Sequence, residues 1–220
     1  MHMKQYMVLL IIVVWLVAGI AGSAGAAGEV KMLKPSEFAV LPWGWTPGDV
    51  EALKEIKECG FNLAGFVAPD SLDAVSQAGL QGIVSDGSTH VGDAEAQLDQ
   101  AEIDKRVQAL VKRVGGHKAV YGYYLRDEPS AGAFPGLGRW AAAFAKAAPD
   151  ALAYINLLPN YASPGQLGTE TYEQYLETFV ETAKPKFLSY DHYALMDDGS
   201  LRGGYFQNLE AMRAAALKHD

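Results

Sequence analysis

The chain has 220 residues, half of them hydrophobic and a fifth charged, with 26 acidic against 18 basic residues and a net charge of −8. That is enough chain for one domain with a sizeable core. An acidic balance without a Lys/Arg-rich run excludes nucleic acid as a partner, because phosphate binding needs a basic stripe, and a single cysteine, Cys59, excludes an intrachain disulfide. Placed just before Gly60 at a helix end, Cys59 is expected as a small buried hydrophobe.

Residues 1–27 have the form of a secretory signal. Lys4 gives a weakly positive start, Met7 to Ala21 is an unbroken apolar run, and Ala24-Gly25-Ala26 offers a small-residue cleavage site. The run is shorter than the roughly 20 residues of a spanning helix. The expected product is a domain of residues 28–220, secreted or periplasmic, with no stable membrane insertion; an uncleaved anchor is the alternative.

The remaining elements alternate. Ala39 to Trp45 forms a first strand, and Thr46-Pro47-Gly48-Asp49 opens a helix over Val50 to Glu58, closed by Gly60. Asn62 to Val67 is a second strand, Ser71 to Ala78 a short helix, and Leu80 to Val84 a third strand ending in Ser85-Asp86-Gly87. From about Asp93 to Val114 the chain is helical, since Ile103, Val107, Leu110, Val111 and Val114 recur at spacings of three and four. Val120 to Pro129, VYGYYLRDEP, is a fourth strand whose apolar run ends in Arg126, Asp127 and Glu128; Pro129 stops it. Gly138 to Ala148 is helix, Leu152 to Leu158 a fifth strand, Thr169 to Ala183 helix, and Phe187 to Tyr193 a sixth strand. A last helix carries Tyr205, Leu209, Met212 and Ala216 on one side.

Six alternations without a hairpin signal require parallel strands joined by crossover helices, an α/β fold. Polar, aromatic and proline residues gather after each strand, which points to one functional rim and to a (β/α)8 barrel. A doubly wound sheet shows the same alternation and is the alternative. Because eight units need about 250 residues, the six present are expected to be a barrel lacking its last two.

Most motif classes are missing. Gly136-Leu137-Gly138-Arg139-Trp140-Ala141 has the spacing of a dinucleotide loop but starts too far beyond its strand and lacks the acidic partner about 20 residues on, where Asn156 stands; it reads as the start of a helix. His90, His117, His192 and His219 are scattered, so no metal site and no cofactor is expected. Carboxylates and aromatics remain. Asp86, Glu128 and Asp191 stand near three strand ends, and glycoside hydrolysis needs two carboxyl groups across the scissile bond. On a regular strand Asp127 and Glu128 face opposite ways, so one is expected in the cavity and the other toward Arg126 or a neighbouring loop. Trp43, Trp45, Tyr124, Tyr161, Tyr190 and Tyr193 offer flat rings suited to sugar faces, about half of them expected in the core.

Tyr121 to Pro129 resembles the strand-four motif of clan A glycoside hydrolases, in which the second residue of an Asn-Glu pair is the general acid/base. The resemblance puts that role on Glu128, with Asp127 where the clan carries Asn. Ser189-Tyr190-Asp191-His192-Tyr193 is similar to the sixth-strand end of such barrels, and Leu41 to Trp45 with Gly60-Phe61-Asn62 to their first two strands. It implies a carbohydrate substrate; the candidate contacts, read from their places near the strand ends, are Trp43, Trp45, Asp86, Asp127, Tyr161, Asp191, His192 and Tyr193. It also implies a nucleophilic glutamate on a seventh strand, which this chain is expected to lack, leaving it inactive alone. A sugar-binding barrel without turnover is the competing reading. N-terminal sequencing of exported protein should begin near Ala27; a chain still starting at Met1 would overturn the signal assignment.

Overall fold

The structure, a computed structural model, describes residues 38–219; the signal segment expected at residues 1–27 lies outside them. In chain order the elements are α1 (Val50–Glu58), β1 (Leu63–Val67), α2 (Leu72–Gln77), β2 (Gln81–Val84), α3 (Gln100–Val114), β3 (Val120–Asp127), α4 (Phe134–Ala147), β4 (Leu152–Asn156), α5 (Pro164–Leu167), α6 (Tyr172–Ala183) and α7 (Tyr205–Lys218). The four strands are parallel and lie side by side in chain order.

That order separates the two architectures. A doubly wound sheet reverses its strand order at a switch point, whereas here each crossover advances the sheet in one direction. The doubly wound alternative is therefore overturned, and the fold is α/β, an incomplete (β/α)8-type barrel.

The first and sixth expected strands are present only as single parallel bridges. Trp45 pairs with Phe66 on β1, and Tyr190 pairs with Leu157 just past β4. Pro42 and Gly44 interrupt the first segment and Pro185 precedes the sixth, so neither sustains a ladder. Backbone bonds still seat both: Thr46 N–H donates to Phe66 O, Phe66 N–H to Gly44 O, and Leu157 N–H to Ser189 O. Six consecutive positions of the barrel wall result, and the expected fourth strand is β3.

Helix ends follow their capping chemistry. Asp49 accepts from Ala52 N–H at the start of α1, and Asp99 from Glu102 N–H at the start of α3. The latter cap, preceded by a 3-10 turn at Glu95–Gln97, moves the start of α3 from Asp93 to Gln100. Pro135 at the first turn starts α4 before the expected Gly138. Gly136 and Gly138 then lie inside α4, where a Cβ would stand 2.2 Å from Ala96 O and 2.6 Å from Thr182 O; the glycine pattern serves close helix packing. Ser163 and Gln166 form a capping box on α5, a turn absent from the sequence reading.

Two apolar layers hold the wall. Between strands and helices, Tyr123 and Leu125 pack with Ile103, Val107, Leu110, Phe134, Trp140 and Phe179. Inside the barrel, Phe66, Ile83 and Tyr154 cluster with Leu41, Tyr124 and Phe187. Cys59 is exposed at the end of α1, not buried as expected, because the helix stops there with its C-cap turned to solvent. The last helix buries Asn208 and Met212 while Ala216 is exposed, so its inner stripe differs from the one expected. The fully buried Asn208 donates to Tyr172 Oη at 2.9 Å and accepts from Asn160 N–H at 2.8 Å, which anchors α7 by hydrogen bonds as well as by its apolar side.

Gly65 shows how the first segment is held against β1. Its φ is +70°, and a Cβ would stand 2.7 Å from Pro42 O and 3.1 Å from Gly44 O. The register of β1 on β2 slips by one residue at this point, the mark of a bulge. Gly65→Ala is expected to destabilise the chain by about 1–3 kcal/mol in urea unfolding, through steric insertion and an unfavourable φ. A variant as stable as the parent would show that the first segment is not pinned there.

Candidate active site

The carboxyl end of β3 departs from regular strand geometry twice. Tyr124 pairs with Tyr154, Arg126 with Ile155 and Asp127 with Asn156, so three steps on β3 match two on β4. The extra residue is a bulge that changes side-chain parity: Tyr124 and Asp127, three apart, fall on the side of Tyr154 and Asn156. Glu128 then adopts φ 41°, in the left-handed region, while its N–H donates to Asn156 O at 2.8 Å. The expectation that Asp127 and Glu128 diverge is thereby corrected. Arg126 is the residue that leaves, its guanidinium donating to Asp93 Oδ1 at 2.7 Å and Val91 O at 3.2 Å.

Both acidic side chains act on Asp191 at the sixth position, Asp127 through its charge and Glu128 through a hydrogen bond. Glu128 is exposed as a residue, yet its carboxyl is raised above its ordinary 4.5 by partial loss of water, then by the charges of Asp191 and Asp127 and a hydrogen bond with Asp191. Asp191 is also raised, by desolvation first and by the Asp127 charge, while the bond from Glu128 opposes the rise. In this pair a protonated Glu128 donates and Asp191 accepts. Asp191 Oδ1 is buried with no donor of its own, so a negative charge there is poorly compensated and the doubly charged pair is disfavoured.

A line of hydrogen bonds runs behind the carboxylates. Tyr154 Oη and Ser189 Oγ are 2.9 Å apart, Ser189 Oγ donates to Asn156 Oδ1 at 2.9 Å, and Asn156 Nδ2 donates to Asp127 Oδ1 at 3.0 Å. Asn156 is only 1% exposed. Tyr154 and Tyr124 stay neutral hydroxyls, since desolvation first and the Asp127 charge raise both, Tyr124 to about 12.

The other expected site residues divide. Trp43 sets its ring edge-on to Phe66 at 5.0 Å and 6.3 Å from Tyr154, half exposed at the barrel mouth. Trp45 is more exposed and bridges Phe66 through its backbone. His192 lies edge-on to Tyr161 at 5.1 Å and to Tyr205 at 5.4 Å, with both ring nitrogens buried and unpartnered. Tyr193 is exposed but near the acids, since Asp191, a little desolvation and then Glu128 and Asp127 raise its hydroxyl; its N–H donates to Tyr161 Oη at 3.3 Å. Arg202 stacks over Tyr161 at 4.3 Å. Asp86 is bound elsewhere. It accepts from Ser88 and from Arg113 Nη1 at 3.2 Å, bonds that outweigh desolvation and lower its value.

Sequence reasoning missed Asn156, Ser189 and Tyr154 as site residues, and Arg202 and Tyr205 at the mouth. A signal for Asn156 existed: it follows Tyr154 by two in an apolar strand, the spacing of a shared face. Among the described residues no group of three or more His, Cys, Asp or Glu is arranged to hold a metal ion, and no helix is long and apolar enough to cross a membrane.

No protein-family model matches the chain, and no curated protein matches it. Solved structures do. A β-mannanase from the blue mussel Mytilus edulis is 10% identical with TM-score 0.53, the match covering 73% of this chain and 67% of that enzyme. An endo-1,4-β-mannanase from Eisenia fetida is 11% identical with TM-score 0.47, over 69% of this chain. A putative deoxyribose-phosphate aldolase from Coccidioides immitis is 15% identical with TM-score 0.46, over 92% of this chain and 78% of that one. The chain spans 63% of the Eisenia enzyme's length. The neighbours include clan A glycoside hydrolases, and the likeness to the mussel enzyme is one of fold.

The raised carboxyls have a consequence for stability. The folded state binds the Glu128 and Asp191 protons more tightly than the unfolded chain, so their stabilising contribution is complete below the ordinary 4.5 and 3.8 and is lost as pH climbs through the raised folded values. Glu128→Gln should therefore raise the melting temperature near pH 7, with the gain shrinking toward pH 4, in calorimetry across that range. A variant less stable than the parent at pH 7 would contradict this.

Proposed function

We propose that the chain is a secreted glycoside hydrolase-type domain acting on O-glycosidic bonds of an oligo- or polysaccharide, with Glu128 as general acid/base. The observation that carries this reading is a carboxyl at the end of a barrel strand whose hold on its proton is strengthened by desolvation and by two carboxylate neighbours. Such a group can deliver its proton to the leaving oxygen as the C–O bond breaks, while a nucleophile bonds to the anomeric carbon. The aromatic mouth of Trp43, Tyr161 and Tyr193 gives apolar faces for the sugar ring.

The opposing group is the open part of the chemistry. Retaining hydrolysis needs carboxyls about 5–5.5 Å apart and inverting hydrolysis about 6.5–9.5 Å. Glu128 is coupled to Asp191 by charge and by hydrogen bonding, and Asp86 is bonded to Arg113. Neither serves as that partner in this arrangement. The contact between Glu128 and Asp191 is the specific observation favouring a second reading, sugar binding without turnover.

The two are separated by assaying the chain on a panel of aryl glycosides, with and without azide as a small external nucleophile, alongside calorimetric titration with oligosaccharides. The expected result is turnover that falls about 10²–10⁴-fold in Glu128→Gln, and less in Asp127→Asn, with sugar affinity kept in both. Equal losses from the two changes would remove Glu128 from the acid/base role. Binding with no turnover under either condition would establish the binding-only reading.

A further inference from the structure

The hydrogen-bond line behind the carboxylates has one direction. Ser189 has a single hydroxyl hydrogen and gives it to Asn156 Oδ1, so the 2.9 Å contact with Tyr154 is one in which Tyr154 donates. Asn156, its carbonyl oxygen already occupied by Ser189, presents its amide nitrogen to Asp127 Oδ1. Each hydrogen is used once, and the line ends on an oxygen that only accepts.

We infer that Asn156, oriented by Ser189 and Tyr154, is a positioning residue that holds Asp127 as an acceptor and thereby assigns the proton of the acidic cluster to Glu128. The inference rests on Glu128 being the acid of the proposed chemistry, and explains how that acid is chosen among three neighbouring carboxyls. Rotating the Asn156 amide by half a turn would set its oxygen against Asp127 Oδ1, acceptor to acceptor, an arrangement tolerable only if Asp127 itself carried the proton. The amide orientation and the location of the proton are therefore one choice. Ser189 makes that choice, because its hydroxyl, supplied from Tyr154, favours the amide oxygen on its side.

The surroundings leave few competing groups. From β3 come Tyr124, Asp127 and Glu128, from β4 Tyr154, from α6 Tyr172 and Tyr175, and from the sixth position Asp191, His192 and Tyr193. Arg126, the cation nearest in sequence, is engaged by Asp93. Asn156 is 1% exposed and Asp127 is exposed, so the amide is the protein's own donor to Asp127 Oδ1 and its loss leaves that oxygen to solvent.

The test follows carboxyl ¹³C shifts against pH in the whole chain without sugar. It is therefore read even if turnover is never found, and failure of the hydrolase reading is visible separately in the glycoside assay. In Asn156→Ala and Ser189→Ala, Glu128 should lose its proton at lower pH than in the parent while Asp127 takes up proton in its place; Ser189→Thr, which keeps the hydroxyl, should titrate as the parent does. A purely structural loss would not exchange the proton between two named carboxyls. Should Asn156→Ala fail to fold, the Ser189→Ala and Ser189→Thr pair decides the matter. An unchanged or higher Glu128 midpoint in a natively folded Ser189→Ala, or identical titrations in the two Ser189 variants, would overturn the inference.

Discussion

The backbone of Glu128 is the constraint on which the site depends. A non-glycine residue at φ 41° costs on the order of 1–3 kcal/mol and persists only where the surroundings over-determine it. Two contacts do so. On one side Glu128 N–H is bonded to Asn156 O; on the other the Pro129 carbonyl accepts from Tyr175 Oη at 2.7 Å, and that hydroxyl in turn accepts from Leu158 N–H at 3.3 Å. Tyr175 is fully buried on α6, among Phe134 and Tyr172. One phenol therefore ties a helix to the ends of two strands, and the turn that follows Glu128 cannot relax without opening that core.

What the turn achieves is the convergence of like charges. A regular strand would send Asp127 and Glu128 to opposite faces, and the Coulomb cost of three neighbouring carboxylates would be avoided. The bulge and the left-handed residue bring them to Asp191 instead. Such a local conflict with ordinary stabilising rules, held in place by a well-packed surrounding, is the expected physical signature of a functional site.

Legibility in the sequence followed the range of the interaction involved. The β3 run from Val120, the apolar stripe of α3 and the alternation of elements are local periodicities, and they appear where expected. The first and sixth strands were overread because their apolar composition does not reveal that Pro42, Gly44 and Pro185 break the ladders. Glu128 stood out because Pro129 and the charges beside it interrupt an apolar strand. The convergence of Asp127 with it did not, since a bulge is set by register against β4 and carries no mark in β3 alone. Asn156, Ser189 and Tyr154 were missed for the same reason: each is unremarkable in its own segment, and only the parallel pairing of three strand ends makes them one chain of bonds.

The distribution of protons follows from the same geometry. Asp127 receives a donor from the protein, Asp191 has an oxygen buried without one, and Glu128 feels both charges while exposed to solvent. A proton placed on Glu128 supplies Asp191 with its missing donor and leaves the amide bond to Asp127 intact. Placed on Asp191, it would leave Glu128 charged beside Asp127; placed on Asp127, it would forfeit the charge-assisted character of the Asn156 bond. The arrangement that satisfies most hydrogen bonds is thus the one that puts the proton on an exposed carboxyl, where an incoming oxygen could take it.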